Sequence, residues 1–404
     1  MSQLSLPWFL QKIQEMRQTY PWYSGLLPEG GVQSFEELPL ITSEVLERYY
    51  YSSEMDPGLT VYRTSGTSGR SRKAIAYSDE DEEVYQRHKV TLFSRLLAGS
   101  PVKRAASDMG TGHAASTAEP IFQAMGLETL SIPFQLPVEE HIRLLGDFRP
   151  DLLYTMPSLL DSILAQAQDI RSFGIRKVIL VGETAPRQWQ RNVAGVLGIE
   201  PSSVIDTYGC IELGTMAYYD HEIGRYRVMD GLIAEGITPL EAGLEEVELG
   251  EKETLLVLTS FVRRYFPALR YVTYDVVRDL RTEELDGVMV QTFEAIVKRV
   301  GPELKHGEKI SIYDIEEVVY RYVRQASVRV LVNDNRLSVF IHSSAEALSQ
   351  EVLDYIREGI QNQIAEIGQM IASGMLDEIR VAAVADGEQL ASGKVKNKRL
   401  YYSE

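Results

Sequence analysis

The sequence DLLYTMPSLLDSILAQAQDIRSFGIRKVILVGETAPRQWQRNVAGVLGIEPSSVIDTYG (residues 151–209) carries the clearest structural signal in the chain. Short apolar runs (DLLYTM, KVILVG and SVIDTYG) have the length of strands, and the longer segments between them have the pattern of helices. Pro157 suits the first turn of a helix, where its missing N–H has no helical partner. This alternation predicts a parallel sheet covered by helices, with ligands beyond the carboxyl ends of the strands.

The composition of the 404 residues excludes several classes of protein. A hydrophobic fraction of 44% is enough for a large core, and the length suggests two or three domains. Cys210 is the one cysteine, which excludes a disulfide framework and a Cys-rich zinc site and favours a cytoplasmic location. The net charge of −17 disfavours nucleic acid as a partner. We expect no signal peptide and no membrane partner, because the longest apolar runs are about half of what spans a bilayer.

The chain divides into a large and a small predicted domain. Residues 1–60 have the pattern of a helical lead-in with aromatic anchors, and a helix capped by Ser78 should follow the next loop. Gly301 and Pro302 lie among charges and indicate a boundary, so we predict domains at 1–299 and 300–404. The fold class is therefore α/β, with a large domain of helix-covered sheets and a small, mobile α+β domain. In the latter, Ser311 should cap a helix, a hairpin should turn at residues 333–335, and a long helix should run from about 345 to 371.

A Gly, Ser and Thr-rich loop with three nearby cations is the first candidate site. In TSGTSGRSRK, Arg70, Arg72 and Lys73 supply charge, and the hydroxyls and N–H groups can bind phosphate oxygens. The residues that would form this phosphate loop are Thr64, Ser65, Gly66, Thr67, Ser68 and Gly69. A flexible surface loop is the alternative interpretation.

Three further motifs each contain one charged residue that could bind a ligand. Glu212 follows a turn in YGCIE and could bind Mg²⁺ beside nucleotide phosphates, or could simply face water. Asp275 lies within a strand-like run, where an aspartate is disfavoured unless it binds something such as ribose hydroxyls. Lys394 follows Gly393 near the end of the chain and could enter a cleft, or belong to an ordinary basic tail.

Together these motifs resemble the acyl-adenylate-forming (AMP-binding) ligase superfamily, in particular its phenylacetate–CoA ligase-like branch. The family's [ST]SG[ST]TGxPK loop appears as TSGTSGRSR, and its YGxTE motif as YGCIE. Its RYxTGD motif appears as RYVTYD, with Tyr274 in place of the glycine, and its terminal lysine as Lys394. The resemblance extends over roughly residues 60 to 400.

The resemblance implies a role for each motif. Thr64–Gly69 would bind the β- and γ-phosphates of ATP, with Thr67 and Lys394 acting in catalysis and Glu212 holding Mg²⁺. The other implied nucleotide-binding residues are Gly182, Glu183, Thr184, Asp206, Thr207, Tyr208, Gly209, Asp275 and Arg299. The implied acid pocket consists of Met109, Gly110, Thr111, Gly112, His113, Tyr154, Met156 and Tyr208, a mixture that favours an aryl or arylacetic acid.

The implied reaction is activation of a carboxylic acid to acyl-AMP with release of pyrophosphate, followed by transfer to coenzyme A. Loading of a carrier-protein phosphopantetheine in a siderophore or antibiotic pathway and amide formation with an amine remain alternatives, since no residue separates these acceptors. An adenylate-binding protein without turnover is a different class, which the presence of Glu212 and Lys394 disfavours. A homodimer is also possible by resemblance.

Overall fold

The computed structural model describes residues 6–32, 34–63, 73–110, 112–183, 185–245, 247–300, 312–324, 326–333, 336–343, 347–364, 367–368, 371, 376–377, 379–384 and 400–402. The helices are α1 Leu6–Thr19, α2 Ser43–Val45, α3 Asp79–Leu96, α4 His113–Ala124, α5 Val138–Phe148, α6 Pro157–Gln166, α7 Arg187–Leu197, α8 Ile312–Tyr322 and α9 Gln350–Gln363. Within the described residues, no helix is both long and apolar enough to cross a bilayer.

The strands divide between short parallel elements and longer antiparallel ones. They are β1 Thr60–Arg63, β2 Ala74–Tyr77, β3 Arg104–Asp108, β4 Glu128–Ile132, β5 Leu152–Thr155, β6 Lys177–Leu180, β7 Val204–Cys210, β8 Gly214–Asp220, β9 Arg225–Val228, β10 Leu232–Ile237, β11 Glu253–Ser260, β12 Tyr271–Arg278, β13 Arg281–Leu285, β14 Val288–Phe293, β15 Ala295–Arg299, β16 Ser327–Asn333, β17 Arg336–His342, β18 Arg380–Ala383 and β19 Leu400–Tyr402.

The chain forms two compact units. The first unit contains residues 1–95, 112–114 and 209–307, and the second contains 96–111, 115–208 and 308–404. The first unit is antiparallel: β1 pairs with β2, one sheet has the order β10-β11-β12-β15, and a ribbon has the order β13-β14-β9-β8. Its sheet packs around apolar side chains such as Leu255, Val257 and Val272, which are fully buried.

Aromatic side chains anchor the N-terminal lead-in, as the sequence predicts. Trp22 stacks on Tyr49 with the ring centroids 5.1 Å apart, and Tyr50 contacts Phe266 edge to face at 5.4 Å. Ser78 caps α3, because its Oγ accepts a hydrogen bond from the N–H of Asp81 at 3.1 Å. The predicted cap and the predicted aromatic anchors are both confirmed.

The second unit contains the parallel sheet that residues 151–209 predict. Its strands have the order β7-β6-β5-β3-β4, and every pairing is parallel. Pro157 begins α6, as expected, and the strands β5 and β6 are almost completely buried. Burial on both faces explains why these strands lack the alternation of polar and apolar residues that one-sided strands show.

The C-terminal part of the second unit is the predicted α+β arrangement. β16 and β17 form the expected hairpin, in a mixed sheet with the order β18-β17-β16-β19. The predicted long helix is wrong at both ends: α9 begins at Gln350, because Ser349 caps it by accepting from the N–H of Val352 at 3.3 Å, and it ends at Gln363. The α8 residue Glu317 accepts from the backbone N–H of Gln188 on α7 at 2.8 Å. The predicted Ser311 cap lies outside the described residues.

Candidate active site

The turn that carries Glu212 is fixed from two sides in the first unit. Arg263 donates from Nε to the carbonyl oxygen of Glu212 at 2.9 Å. The hydroxyl of Tyr77 donates to the carbonyl oxygen of the preceding residue, Ile211, at 2.7 Å. Because both carbonyls have side-chain donors, the backbone at Glu212 is held in one geometry.

Two glycines flank this turn, and neither position accepts a side chain. A Cβ on Gly209 would lie 2.5 Å from the carbonyl oxygen of Gly214, closer than atoms can pack. Gly214 has a φ of +76°, and a Cβ there would lie 2.9 Å from the ring of Tyr85. The glycine of the YGCIE motif is thus required by close backbone packing.

A buried ion pair holds Arg263 in place. Its partner is Asp81, and the two side chains are only 3% and 1% exposed. Asp81 also accepts from the backbone N–H groups of Arg264 at 2.8 Å and Tyr265 at 3.1 Å, and the guanidinium lies 3.6 Å from the ring centroid of Tyr77. Sequence reasoning missed Arg263, because adjacent arginines in FVRRYFP give no signal of which one is buried.

Asp275 and Arg299, the two predicted ribose contacts, are neighbours in the first unit. They are direct partners in the register of β12 and β15, with Nε of Arg299 3.8 Å from Oδ1 of Asp275. The carboxylate is 13% exposed and the guanidinium 67% exposed. Thr273 fixes the backbone beside them, since its Oγ1 accepts from the N–H of Asp275 at 3.1 Å.

Tyr274 stands where the family motif has a glycine, and its backbone adopts a conformation that favours glycine. Its φ is +62°, in the left-handed region that side chains disfavour. The phenol compensates by bonding to Ser43, whose N–H donates to the hydroxyl at 3.0 Å and whose Oγ lies 3.1 Å away. Ser43 therefore holds the side chain of Tyr274 at a position where the backbone favours glycine.

His113 lies in a buried aromatic cluster of the first unit. Its Nε2 is 2.9 Å from Oε2 of Glu82, and it is 4% exposed. The ring centroids of Tyr77 and Tyr85 are each 4.2 Å away, and that of Tyr62 is 4.6 Å away. Burial is the largest single influence on the Glu82 carboxyl and raises its pKa, but the hydrogen bond and charge of His113, the hydrogen bond from Tyr62 and the charge of Arg263 together leave a net lowering of the pKa. Glu82 was also missed, because an acidic residue in a first helical turn already has an explanation in the helix dipole.

In the second unit, Gly182 and Glu183 follow β6 at its carboxyl end, where the sequence predicts them. Glu183 accepts from the N–H of Ser158 at 2.9 Å and from its Oγ at 2.9 Å. Ser158 lies in the first turn of α6, so the Glu183 carboxylate satisfies a helix N-terminus that would otherwise lack a partner.

The neighbouring strand β7 brings Asp206, Thr207 and Tyr208 to the same edge of the parallel sheet. Asp206 is the register partner of Leu180, the last residue of β6. Thr207 donates from Oγ1 to the carbonyl oxygen of Leu180 at 2.5 Å, and both Asp206 and Thr207 are buried. Tyr208 is half-buried beyond them.

The acid-pocket candidates of the second unit differ in their surroundings. Met109 and Met156 are 5% exposed at the ends of β3 and β5. Tyr154 is 1% exposed within β5 and packs edge to face on Phe122, with the centroids 6.1 Å apart. Gly110 follows Met109 and is half-buried, and Gly112 and His113 belong to the first unit.

Several predicted site residues lie outside the described residues. They are Thr64, Ser65, Gly66, Thr67, Ser68, Gly69, Thr111, Thr184 and Lys394. The flanking strands β1 and β2 pair with Arg63 opposite Ala74, which confirms that the Gly, Ser and Thr-rich loop connects two strands.

Magnesium was predicted at Glu212, and the donor set can be tested against that prediction. Among the described residues, no group of three or more His, Cys, Asp or Glu side chains could hold a metal. Mg²⁺ usually binds proteins through one or two carboxylates and completes its shell with substrate phosphates and water. A single carboxylate on a fixed turn therefore fits an ion that binds together with ATP, where Mg²⁺ neutralises phosphate charge.

Comparisons with known proteins identify the family. The model of the fumarate–diaminopropanoate ligase C-terminal domain matches residues 305–386. The fumarate–(S)-2,3-diaminopropanoate ligase of Enterobacter agglomerans is 36% identical over 391 residues, which cover 96% of this chain and 97% of that enzyme. This chain belongs to the family of that ligase.

Solved structures show the same fold. The 2-hydroxyisobutyryl-CoA ligase in its postadenylation state has a TM-score of 0.74 at 15% identity, over 98% of this chain and 88% of that one. The amide bond synthetase McbA of Marinactinospora thermotolerans has a TM-score of 0.50 at 13% identity, over 84% and 73% of the two chains. The predicted α/β fold and the predicted superfamily are confirmed, and the chain is an adenylate-forming ligase that uses ATP to activate an acid.

Proposed function

We propose that this ligase activates a small dicarboxylic acid such as fumarate as its acyl-adenylate and transfers the acyl group to an amine of a diamino acid, forming an amide. The observation that carries the proposal is the end-to-end match, at 36% identity, to an enzyme that joins fumarate to (S)-2,3-diaminopropanoate. The family match of residues 305–386 to the C-terminal domain of such a ligase supports it independently of the larger domain.

The proposed reaction has two steps. In the first, a carboxylate oxygen attacks the α-phosphorus of ATP, the bond to the β-phosphate oxygen breaks, and pyrophosphate leaves. In the second, the amine nitrogen attacks the acyl carbonyl, the C–N bond forms, the bond to the AMP oxygen breaks, and the amine loses a proton. Positioning and charge neutralisation account for most of the catalysis in such transfers.

We assign the nucleotide to the residues that the sequence predicts. Asp275 and Arg299 would bind the ribose, and Glu212 would hold Mg²⁺ from its fixed turn. Gly182, Glu183, Thr184 and the segment Asp206–Gly209 would line the adenine. Thr64–Gly69 would bind the outer phosphates, and Lys394, in a C-terminal domain that begins near residue 300, would bridge the carboxylate and the α-phosphate.

The acid and the acceptor distinguish this proposal from its rivals. An aryl acid and a thiol acceptor were the sequence-based preference, whereas the family relative acts on an aliphatic dicarboxylate and an amine. A thiol acceptor remains the second candidate, because the chain has the fold of a CoA ligase throughout its length.

A product assay separates these candidates. The purified chain would be incubated with ATP, Mg²⁺ and fumarate, and with (S)-2,3-diaminopropanoate, coenzyme A or no acceptor. Mass spectrometry should detect the fumaryl amide together with AMP only in the diamino acid reaction. Benzoate and phenylacetate would replace fumarate in parallel reactions. A thioester with coenzyme A and no amide, or activity restricted to the aryl acids, would refute the proposal.

A further inference from the structure

Two neighbouring turns of the second unit lie side by side at the carboxyl edge of the parallel sheet. One follows β5 and contains Met156, which the family resemblance assigns to the acid pocket. The other follows β6 and contains Gly182 and Glu183, which the proposed function places beside the adenine. β5 and β6 pair in parallel with Thr155 opposite Leu180, so the two turns leave the sheet together.

The Glu183 side chain connects these two turns. Its Oε2 accepts a hydrogen bond from the backbone N–H of Ser158 at 2.9 Å, and its Oε1 accepts one from the Ser158 hydroxyl at 2.9 Å. Ser158 lies two residues beyond Met156, in the first turn of α6. Hydrogen bonds to a carboxylate are about twice as strong as neutral ones, and the helix dipole favours a negative charge at this position. The pair therefore ties the β6 turn to the start of α6.

The backbones of the two turns are also in contact. The N–H of Val181 donates to the carbonyl oxygen of Thr155 at 3.0 Å. A Cβ on Gly182 would lie 3.7 Å from Sδ of Met156, so the main chain of Gly182 lies directly against that side chain. Gly182 is exposed and accessible to a ligand, whereas Met156 is 5% exposed. Because packed side chains transmit displacements, a shift of the Glu183 turn also moves Met156.

We propose that Glu183 and Ser158 are a positioning pair, which aligns the adenine with the carboxylic acid for adenylation. The inference rests on the proposed function, with the adenine beside Gly182 and the acid beside Met156. Attack on the α-phosphorus requires both substrates in one geometry, and a misplacement of about 1 Å can slow such a step about 100-fold. Glu183 then acts through Ser158 and needs no contact between its carboxylate and the adenine.

The test uses Glu183→Gln, Ser158→Ala and the double variant. The KM values for ATP and for fumarate are measured by exchange of labelled pyrophosphate into ATP, at a temperature where each variant is folded. Each single substitution should raise both KM values about tenfold, the low end of the cost of one hydrogen bond to a charged group. The effects in the double variant should be clearly smaller than the product of the single effects, because both substitutions weaken the same link.

Ser158→Thr keeps the hydroxyl and should restore both KM values to within about threefold of wild type. A direct contact between Glu183 and the adenine gives a different pattern. Glu183→Gln would then raise the KM for ATP alone, and Ser158→Ala would change neither value. That pattern, or single effects that multiply in the double variant, would overturn the assignment.

Thr238 and Glu241 provide a matched control with the same chemistry. Oε2 of Glu241 accepts from the backbone N–H of Thr238 at 2.7 Å and from its hydroxyl at 2.8 Å, and both residues are exposed. Neither residue belongs to a predicted site. Glu241→Gln and Thr238→Ala should leave both KM values within about twofold of wild type, as expected for surface substitutions.

The outcomes separate this inference from the proposed function. If wild-type protein exchanges with fumarate and the Glu183 and Ser158 variants keep both KM values, the pair is refuted and the proposed function stands. If wild-type protein exchanges only with a different acid, the proposed function fails, and the same comparison made with that acid decides the role of the pair. If wild-type protein binds no ATP, both proposals fail. Should Glu183→Gln not fold, Ser158→Ala and Ser158→Thr decide alone, because Ser158→Ala keeps the backbone bond to Glu183.

Discussion

Asp275 and Arg299 face each other across β12 and β15, with Nε of Arg299 3.8 Å from Oδ1 of Asp275. Two residues that the sequence motifs place 24 positions apart are thus brought to one point of the first unit by the strand register. The carboxylate is mostly buried while the guanidinium is mostly exposed. This arrangement presents the carboxylate as a fixed acceptor beside a cation that can adjust to a ligand.

Asp275→Asn tests the proposed ribose contact. The KM for ATP should rise about 10- to 100-fold, since a charge-assisted hydrogen bond becomes a weaker neutral one. The KM for the acid should change little. Pyrophosphate exchange measured against ATP at saturating acid checks this. Asp286→Asn is the control, because Asp286 is an exposed turn residue of the same unit and asparagine suits its φ of +52°. Equal effects of the two substitutions would contradict the assignment.

Arg263→Met should lower the free energy of unfolding by about 3–5 kcal/mol, because it leaves the buried Asp81 carboxylate without its cation. It should also slow adenylation about tenfold or more at temperatures where the variant is folded, since the Glu212 turn loses its donor. Urea denaturation and pyrophosphate exchange give the two values.

Arg264→Met is the matched control for that substitution. Arg264 is 50% exposed and bonds to the exposed carboxylate of Glu80 at 3.2 Å. An exposed ion pair contributes about 0–1 kcal/mol to stability, so the free energy of unfolding of this variant should stay close to that of wild type. If the two variants lose equal stability, the buried pair is not the anchor described above.

Asp108 and His141 predict a pH dependence of stability in the second unit. Nδ1 of His141 lies 2.8 Å from Oδ1 of Asp108, and Nε2 lies 3.1 Å from the carbonyl oxygen of Leu136. Because both partners accept hydrogen bonds, the doubly protonated imidazolium suits the site, and the bond to Asp108 raises the pKa of His141. The stabilisation is complete below the ordinary histidine pKa of about 6.5 and is lost as the pH rises through the higher, folded value.

His141→Gln isolates this contribution. The difference in unfolding free energy between wild type and variant should be larger at about pH 6 than at an alkaline pH above the raised, folded pKa of His141, where the imidazolium has lost its proton. Chemical denaturation at the two pH values measures it. A difference that is constant, or that grows toward alkaline pH, would show that His141 is not protonated in the folded protein.

Tyr274 predicts an unusual order of stability among its variants. Because its φ is +62°, Tyr274→Gly should be more stable than Tyr274→Ala by about 1 kcal/mol, although alanine is usually the better residue within a strand. Tyr274→Phe, which removes only the hydroxyl bonded to Ser43, should lose about 1 kcal/mol relative to wild type. Thermal and urea denaturation would rank the variants, and an alanine variant as stable as the glycine variant would contradict the strained turn.

The sequence predicts elements whose signals are local. The apolar runs from Leu152 to Asp206 predicted the parallel sheet, and Pro157 predicted the start of α6. The residues 333–335 predicted the position of a hairpin. The presence of four motifs in the family's order predicted the superfamily. Each of these depends on residues that are close together in the chain.

The sequence does not predict contacts that join distant segments. Nothing in the sequence near Asp81 indicates that Arg263 will form a buried ion pair with it. The sequence of α3 alone likewise does not show that Lys89 will line a pocket together with residues of β8 and β10. The start of α9 was misplaced because several polar residues before Ser349 could equally have capped it. The motifs likewise did not predict which acid and which acceptor the enzyme uses, because that selectivity depends on the directions of side chains in a pocket.

The central claim is that this chain activates a dicarboxylic acid as an acyl-adenylate. The most direct measurement is exchange of labelled pyrophosphate into ATP, with fumarate present and every acceptor omitted. We predict exchange that requires fumarate and Mg²⁺ and falls at least 100-fold in Glu212→Gln. Protein that binds ATP but shows no exchange with fumarate or other dicarboxylic acids, or that releases ADP and phosphate when the diamino acid is added, would contradict the account.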